Sequence, residues 1–292
     1  MRPRLFAAAD LGQPIVLVTI TAAEGGGPRG VGAQMAVTAT DAGGFLSGGC
    51  IEADVILHAR ETLDSHRPRK LIYGRGSPFA DTPLPCGGRL ELLVERIDPD
   101  DPAIAALRSA EVERRAIVYL SDGETRSVSS ADEATTAQGR LYLPGQRLIV
   151  VGSDPFALAI AGLGTVEGWA VELMRPKGPE TPPPIAARYH RGGITETFAT
   201  LHPDRWTAVA IATHDADLDH EALMCALPSP AGYVGVLGSR RRLPQRLDRL
   251  RAAGLTSQDL ARLKAPIGLD IGARSPTEVA VSVIGEIIGA RP

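Results

Sequence analysis

The second half of the chain alternates short apolar, β-branched runs with longer segments of helical periodicity. Four runs predict buried strands, at residues 147–152, 169–174, 208–212 and 232–237. Helices are predicted at 153–166, at 220–227, in the basic segment after 238, and at 277–289, where Ser275-Pro276 supplies a cap and a first-turn residue. Parallel strands need long crossover connections, usually helices, so this alternation predicts a doubly wound parallel sheet of Rossmann-like type.

The first half predicts a mixed α+β domain. Its apolar runs predict strands at 15–21, 33–40, 71–73 and 90–95. One helix is predicted at 51–63, and the short segment before Ile15 predicts no leading helix. The polar, weakly periodic stretch 121–146 predicts a linker between a first domain, 1–120, and a second, 147–292. Two domains agree with a length of 292 residues.

Composition excludes several classes of protein. Apolar residues make up 44% of the chain and charged residues 22%, which is typical of a folded globular protein. A net charge of −3 gives no basis for nucleic-acid binding, and no apolar run approaches the roughly 20 residues that cross a membrane. The three cysteines include no pair at the short spacing of a zinc-ribbon site, and so few cysteines favour a reducing cytoplasm. Asp10 interrupts the first apolar run too early for a secretory signal.

Two cysteines lie beside paired glycines. Cys50 follows Gly48-Gly49, and Cys86 precedes Gly87-Gly88. Glycine has no β-carbon, so a ligand or a second backbone can approach such a thiol closely. Cys50 also precedes a predicted helix, whose dipole and free amides would favour its thiolate. Thiolates are soft metal ligands, so we predict that both thiols face one site that holds a thiol-seeking metal. Cys225, in an apolar run, is predicted to be core filler.

Positive charge in glycine-rich turns predicts anion sites. Arg29 lies in the loop 24–30, whose glycine amides could wrap an anion beside the guanidinium group. Gly238, Ser239 and Arg240 follow a predicted strand and open a basic helix, which predicts a second anion site. A mobile loop and a solvated basic face are the alternatives.

Histidine and aspartate follow another predicted strand. His214 and Asp215 come directly after the buried run 208–212, at the sheet edge where open α/β folds bind ligands. These two residues are predicted to bind a metal or to move protons. Asp217 or Asp219 is expected to cap the next helix.

The turn after the strand 147–152 carries only the first glycine of the dinucleotide fingerprint, in Gly152-Ser153-Asp154. Arg175 ends the next strand, where a carboxylate would bind a ribose, and its charge suits a 2′-phosphate. One alternative function is therefore an NADP-dependent Rossmann oxidoreductase, with Arg175 on the phosphate and His214 as the acid–base group. A structural adaptor with buried, inert thiols is another.

Six motifs follow one another along nearly the whole chain. They are Gly27–Ala33, Ser47–Glu52, Cys86–Gly88, Thr213–Asp215, Gly232–Arg241 and Pro266–Ala273. Each alone is a weak signal, but their common order is specific. With these motifs the chain resembles the XdhC/CoxI family, the accessory proteins of xanthine dehydrogenase and related molybdenum hydroxylases.

The resemblance implies a cytoplasmic, homodimeric accessory protein rather than an enzyme that turns over a metabolite. It implies binding of molybdenum cofactor, as molybdopterin or its nucleotide form, support of its sulfuration with a cysteine desulfurase as donor, and transfer to an apo-molybdenum hydroxylase. Cys50 and Cys86 would contact the cofactor and its metal. The predicted binding set also contains Arg29, Gly48, Gly49, Gly87, Gly88, His214, Asp215, Gly238, Ser239, Arg240 and Asp270. Within it, Arg29 and the turn that begins at Gly238 are assigned from their charge and position more than from the family.

Two turns depart from the family pattern. Residues 152–155 replace a Gly-Ala-Gly-His type of turn, and residues 175–177 replace Asp-Pro-Arg. Both changes weaken the carboxylate contact to a ribose, and Asp154 would repel a pyrophosphate. We therefore expect NAD(P) or another nucleotide in the second domain only with altered contacts.

Overall fold

The computed structural model of the chain describes residues 1–25, 29–77, 84, 87–131 and 139–291. These residues divide into two units, Met1–Pro144 and Gly145–Pro292. The first unit is built on antiparallel sheets and the second on one parallel sheet. The predicted fold class, a mixed α+β domain followed by a Rossmann-like domain, is confirmed.

The first unit contains a five-stranded sheet in the order β3-β2-β1-β5-β4 and a three-stranded sheet in the order β7-β6-β8. Its elements are α1 (Arg2–Asp10), β1 (Ile15–Glu24), β2 (Gln34–Val37), β3 (Ala42–Gly44), α2 (Glu52–Ser65), β4 (Arg69–Gly74), β5 (Arg89–Ile97), α3 (Pro102–Val112), β6 (Ile117–Ser121), β7 (Arg126–Ser130) and β8 (Arg140–Tyr142).

The central strand β1 is apolar on both faces because the five-stranded sheet is covered on both sides. Val16, Val18 and Ile20 point into a core shared with α2, whereas Ile15 and Leu17 point into a second core shared with α1, α3 and β6. Alternate residues of a strand point to opposite faces, so a continuous apolar run is what such a strand requires.

The first unit differs from its predicted organisation in two places. A leading helix, α1, is present, and its buried Leu5 and Ala8 pack in the second core. The predicted linker 121–146 contains β7 and β8, which pair with β6. Arg126 on β7 lies 2.9 Å from the fully buried carboxylate of Glu95 and 2.9 Å from Asp101, so these residues belong to the first unit.

The second unit contains six parallel strands in the order β11-β10-β9-β12-β13-β14. Its elements are β9 (Arg147–Val151), α4 (Pro155–Val166), β10 (Ala170–Met174), β11 (Arg188–His190), α5 (Ile194–Leu201), β12 (Thr207–Ile211), α6 (Ala216–Ala226), β13 (Tyr233–Val236), a 3-10 turn (Arg240–Arg242), α7 (Leu243–Ala252), α8 (Ser257–Ala261), β14 (Leu263–Lys264) and α9 (Pro276–Gly289).

Helices cover both faces of this parallel sheet. One core contains Leu148 and Val150 with residues of α4 and α9, and the other contains Ile149 and Val151 with residues of α5, α6 and α7. The order of strands reverses between β9 and β12, which makes the crevice beside them the topological switch point of the sheet. Helix α9 begins as predicted, because Ser275 forms a capping box with Glu278. Within the described ranges, no helix is long and apolar enough to span a bilayer.

Replacement of Arg126 by Met is expected to destabilise the first unit, because it leaves the buried Glu95 carboxylate without its cationic partner. Loss of one partner of a buried pair costs about 3–5 kcal/mol. The free energy of unfolding, measured by urea denaturation, should fall accordingly. Arg115→Met is the matched control, since its pair with Glu113 is half exposed on both sides, and its effect should stay below about 1 kcal/mol. Equal losses in the two variants would contradict this reading of the pair.

Candidate functional site

The loop that carries Cys50 is held by one carboxylate. Oε1 of Glu52 accepts hydrogen bonds from the backbone N–H groups of Leu46, at 2.9 Å, and Ser47, at 2.8 Å. Oε2 of Glu52 accepts from the N–H of Gly49, at 2.8 Å, and from the Ser47 hydroxyl, at 2.7 Å. Glu52 begins α2, so the helix and the loop before it are joined through this side chain.

The Ser47 hydroxyl completes the loop. Its Oγ accepts from the N–H of Cys50, at 3.0 Å, and of Ile51, at 3.2 Å, while it donates to Glu52. The chain turns sharply at Gly48 and Gly49, whose φ angles of +87° and +114° lie in a region that side chains disfavour. The paired glycines therefore serve the turn that brings these N–H groups to one carboxylate.

The hydrogen bonds keep Glu52 ionised although it is largely buried. Burial by itself would raise the pKa of this carboxyl, but the bonds from Ser47 and Leu46 outweigh it and lower the pKa from 4.5 to about 2. A carboxylate that accepts several N–H bonds in a partly dry environment is strongly stabilised in its charged form.

The Cys50 side chain is exposed and its thiol is free. The N–H groups of Gly49, Cys50 and Ile51 do not remain free for a ligand, because they already donate to Ser47 and Glu52. The loop thus presents a thiol on a backbone whose conformation is set before any ligand arrives.

Cys86 lies outside the described residues, so its distance from Cys50 stays a prediction. Leu84 and Gly87, which flank it in the sequence, are described. Leu84 is buried in the core that also contains Leu46 and Ile51, the residues that flank the Cys50 loop. The N–H of Gly87 donates to the Leu84 carbonyl, at 2.9 Å. Both cysteine segments are therefore anchored in one hydrophobic core.

Gly88 lies next to the strand that leads into the arginine loop. A β-carbon placed on Gly25 would be 3.2 Å from the Cα of Gly88, and one placed on Gly74 would clash with the Gly88 carbonyl. Arg29, on the far side of residues 26–28, is exposed. Gly88 and the start of the arginine loop are thus neighbours.

In the second unit the switch point is crossed by side chains of its own loops. Gly152 directly follows β9 and lies against the backbone that follows β12. A β-carbon on Gly152 would clash with the Ala212 carbonyl. Asp154 caps α4 by accepting from the N–H of Ala157, at 2.8 Å, and its other oxygen lies 2.9 Å from Nε2 of His214. The His214 ring therefore faces Asp154 across the crevice.

Arg175 and Lys177 follow β10 and contact the loops that follow β9 and β12, respectively. Arg175 is largely buried and donates to the Ser153 carbonyl, at 3.3 Å. Lys177 lies 3.1 Å from a carboxylate oxygen of Asp215. Because Arg175 is largely buried, little of its guanidinium group is exposed to a 2′-phosphate, so this geometry does not favour the NADP-dependent alternative.

Asp215 has a structural role that the sequence analysis assigns to its neighbours. It is the N-cap of α6 and accepts from the N–H groups of Asp217 and Leu218. The helix begins at Ala216, four positions before its predicted start at His220, and the expectation that Asp217 or Asp219 caps it is wrong. Bonds from Leu218 and then Lys177 lower the pKa of Asp215.

A cavity of about 450 Å³ opens beside the switch point, between the loops that follow β12 and β13. Three predicted residues line it: His214, Gly238 and Ser239. Among its other basic residues, His220 and Arg242 belong to the two predicted segments, whereas sequence reasoning missed Arg246 and Arg249. The arginine spacing of four and three residues places them on one face of α7 and its preceding turn, and this pattern could have revealed them.

At the cavity wall Arg246 is paired with a buried carboxylate. Its Nη2 lies 2.6 Å from Oδ2 of Asp219, whose other oxygen accepts from the Thr213 hydroxyl, at 2.7 Å. Burial raises the pKa of Asp219, while the bonds from Thr213 and Arg246 oppose that rise. This pair leaves Arg242 and Arg249 as further positive charges in the lining.

The remaining predicted residues, Arg240 and Asp270, pair with each other at 3.1 Å. Both side chains are more than three-quarters exposed, and neither lines the cavity.

Cys225 is half-buried, with its sulfur 3.7 Å from the Thr195 hydroxyl. In the part of the chain that the structure describes, no group of three or more His, Cys, Asp or Glu side chains could hold a metal ion.

Together these features define a class of protein: a cysteine-bearing α+β unit followed by a Rossmann-type unit. A solved structure of this form is a xanthine dehydrogenase of Bacillus halodurans, with a TM-score of 0.77, 22% identity, and coverage of 99% of this chain and 95% of that one. Residues 148–287 match the XdhC Rossmann domain, and residues 8–74 match the XdhC and CoxI family.

Among curated proteins, the molybdenum cofactor insertion chaperone PaoD of Escherichia coli is 30% identical over 287 residues, which cover 96% of this chain and 84% of PaoD. A Bacillus subtilis protein named as a probable component of xanthine dehydrogenase is 24% identical, over 94% of this chain and 93% of that protein. The chain belongs to the XdhC and CoxI family, which confirms the resemblance seen in its motifs.

Replacement of Glu52 by Gln is expected to loosen the Cys50 loop, because one carboxylate oxygen becomes an amide group that cannot accept the N–H bonds. Unsatisfied buried donors cost about 1–3 kcal/mol each, so the free energy of unfolding should fall by about 2 kcal/mol. Hydrogen exchange at Gly49 and Cys50 should accelerate. Asp64→Asn, exposed on the same helix, is the control. Unchanged exchange in Glu52→Gln would contradict the assigned role.

The depressed pKa of Glu52 predicts a loss of stability in acid. The pKa of the Glu52 carboxyl is about 2 in the folded chain, against an ordinary value of 4.5. Its stabilising effect is therefore fully present when the pH lies above the ordinary pKa. That effect should disappear as the pH falls through about 5 to 2. Denaturation at a series of pH values should show the difference between wild type and Glu52→Gln shrinking over this range. A difference independent of pH would contradict the prediction.

Proposed function

We propose that this chain is a molybdenum cofactor insertion chaperone for a molybdenum hydroxylase of the xanthine dehydrogenase type. Membership of the XdhC and CoxI family and 30% identity to a relative named as such a chaperone support the proposal. The observation that carries it is the exposed Cys50 thiol on a loop fixed by Glu52. The cofactor is cargo here, held and then released to the apo-hydroxylase.

Cys50 supplies the thiolate that contacts the molybdenum of the cargo, and Cys86 supplies the second. Thiolate sulfur is a soft ligand suited to such a metal, and an exposed thiol can release the cargo as readily as it accepts it. Because the loop is already ordered, binding does not have to order its backbone, and this lowers the entropic cost of capture. Gly48, Gly49, Gly87 and Gly88 allow the cofactor to approach.

The wider role follows from the same cargo. While the cofactor is held, a cysteine desulfurase delivers sulfur to the metal, and the sulfurated cofactor then passes to the hydroxylase. Arg29 supplies a positive charge for an anionic part of the ligand in the first unit. In the second unit, Gly238, Ser239 and the nearby His214 form a separate candidate contact for such a group. The chain acts in the cytoplasm as a homodimer and does not turn over a metabolite.

Replacement of Cys50 by Ser should remove most of the molybdenum that copurifies with the chain from cells that make the cofactor. A serine hydroxyl keeps the size of the side chain but is a much poorer ligand for a soft metal. Molybdenum is measured by mass spectrometry and the pterin by fluorescence after oxidation. Cys225→Ser, at a half-buried thiol with a raised pKa, is the matched control and should retain the cofactor.

The same variants can be tested in transfer. Purified chain loaded with cofactor is added to apo-xanthine dehydrogenase, and the recovered activity is compared with that from free cofactor alone. Wild type and Cys225→Ser should accelerate recovery, whereas Cys50→Ser should not. Equal cofactor retention and equal recovery with Cys50→Ser and wild type would contradict the proposal.

A further inference from the structure

The cavity of the second unit is displaced from the place where a Rossmann fold ordinarily binds its ligand. In open α/β sheets that place is the switch point, here between β9 and β12. Beside the switch point, Nε2 of His214 lies 2.9 Å from Asp154, and Arg175 donates to the Ser153 carbonyl. The cavity lies one strand further along, between the loops after β12 and β13.

Positive charge dominates this cavity. The Arg242 side chain is exposed and makes no hydrogen bond or ion pair with the described residues. Arg249 contacts Asp217, but this pair is exposed, at 48% and 85% for the two side chains, and water screens such pairs strongly. Asp219 is the acidic side chain in the lining, and Arg246 already neutralises it.

We propose that this cavity binds the phosphate group of an organic ligand, with Arg242 and Arg249 as the principal contacts. The inference rests on the proposed function in one respect, since the terminal phosphate of the cofactor is one source of such a group. A free nucleotide is the other source of the same chemistry. Arginine suits this task because its planar guanidinium donates two parallel hydrogen bonds to phosphate oxygens.

The shape and lining of the cavity fit an organic phosphate better than a bare ion. A volume of about 450 Å³ lies in the range of small-molecule sites. Leu237 and Ala216 provide an apolar wall for a ring, and Ser239 adds a hydroxyl that makes no capping bond to its own helical turn. Gly238 adds no side chain that would narrow the entrance.

Arg241 provides an internal control for charge. It is exposed in the same 3-10 turn as Arg242, but it does not line the cavity. Arg241→Gln and Arg242→Gln therefore change the net charge equally and at adjacent positions. A long-range electrostatic effect would weaken binding in both variants, whereas a direct contact would weaken it in Arg242→Gln alone.

Binding is measured by isothermal titration calorimetry on the full chain, with pyrophosphate and adenosine diphosphate as probes. Wild type should bind at least one probe, and Arg242→Gln should bind it roughly tenfold more weakly, as expected for one charge-assisted contact. Arg241→Gln should change the affinity less than about twofold. No binding of either probe, or equal weakening in the two variants, would overturn the proposal.

Two further measurements are needed. One distinguishes the cofactor from a free nucleotide as the source of the phosphate group, and the other separates the phosphate site from the proposed role of the Cys50 thiol. Competition of pyrophosphate by isolated molybdenum cofactor would assign the site to the cargo, whereas tight binding of adenosine diphosphate without such competition would assign it to a free nucleotide. Cys50→Ser should bind the probes as wild type does. If that variant also keeps its molybdenum while Arg242→Gln loses the probe, the thiol hypothesis fails and the phosphate site stands.

Discussion

The geometry of the first unit's exposed thiol depends on a buried carboxylate two residues away. Glu52 joins the N–H groups of Leu46, Ser47 and Gly49 to the first turn of α2. Side-chain oxygen here takes the place of the backbone acceptors that a strand or helix would supply. A loop of glycines would otherwise sample many conformations. With the Glu52 carboxylate in place the loop adopts one conformation, and this conformation sets the position of the Cys50 thiol.

The second unit keeps a common scaffold, but side chains of its own loops meet at the usual binding crevice. Strand order, parallel pairing and the close approach at Gly152 are those of a dinucleotide fold. The loops differ: acidic and basic side chains pair across the crevice, and space opens beside the next strand instead. Fold and site therefore have to be argued separately for such a chain.

Much of the fold could be predicted because it is encoded in local periodicity. The buried strands of the second half are continuous apolar runs, and Ser275 carries a cap that sequence alone reveals. Strand β7 could not be found in this way, because it is short and polar and is held through the distant Arg126–Glu95 pair. Strand β8 has only three residues, which are too few to show a period. The capping role of Asp215 could not be predicted either, because several acidic residues follow one another there and only the backbone shows which accepts.

The candidate site, too, could be predicted only in the part that local sequence reveals. The paired glycines point to Cys50, but the carboxylate that orders it emerges only when the loop closes on α2. Glycine-rich turns at helix starts ordinarily collect phosphate or sulfate from solution, because their N–H groups point outward. In this turn an internal anion already occupies that position. An inorganic anion that approaches this turn therefore meets N–H groups of Gly49, Cys50 and Ile51 that already donate to Glu52 and Ser47, while the sulfur beside them is exposed.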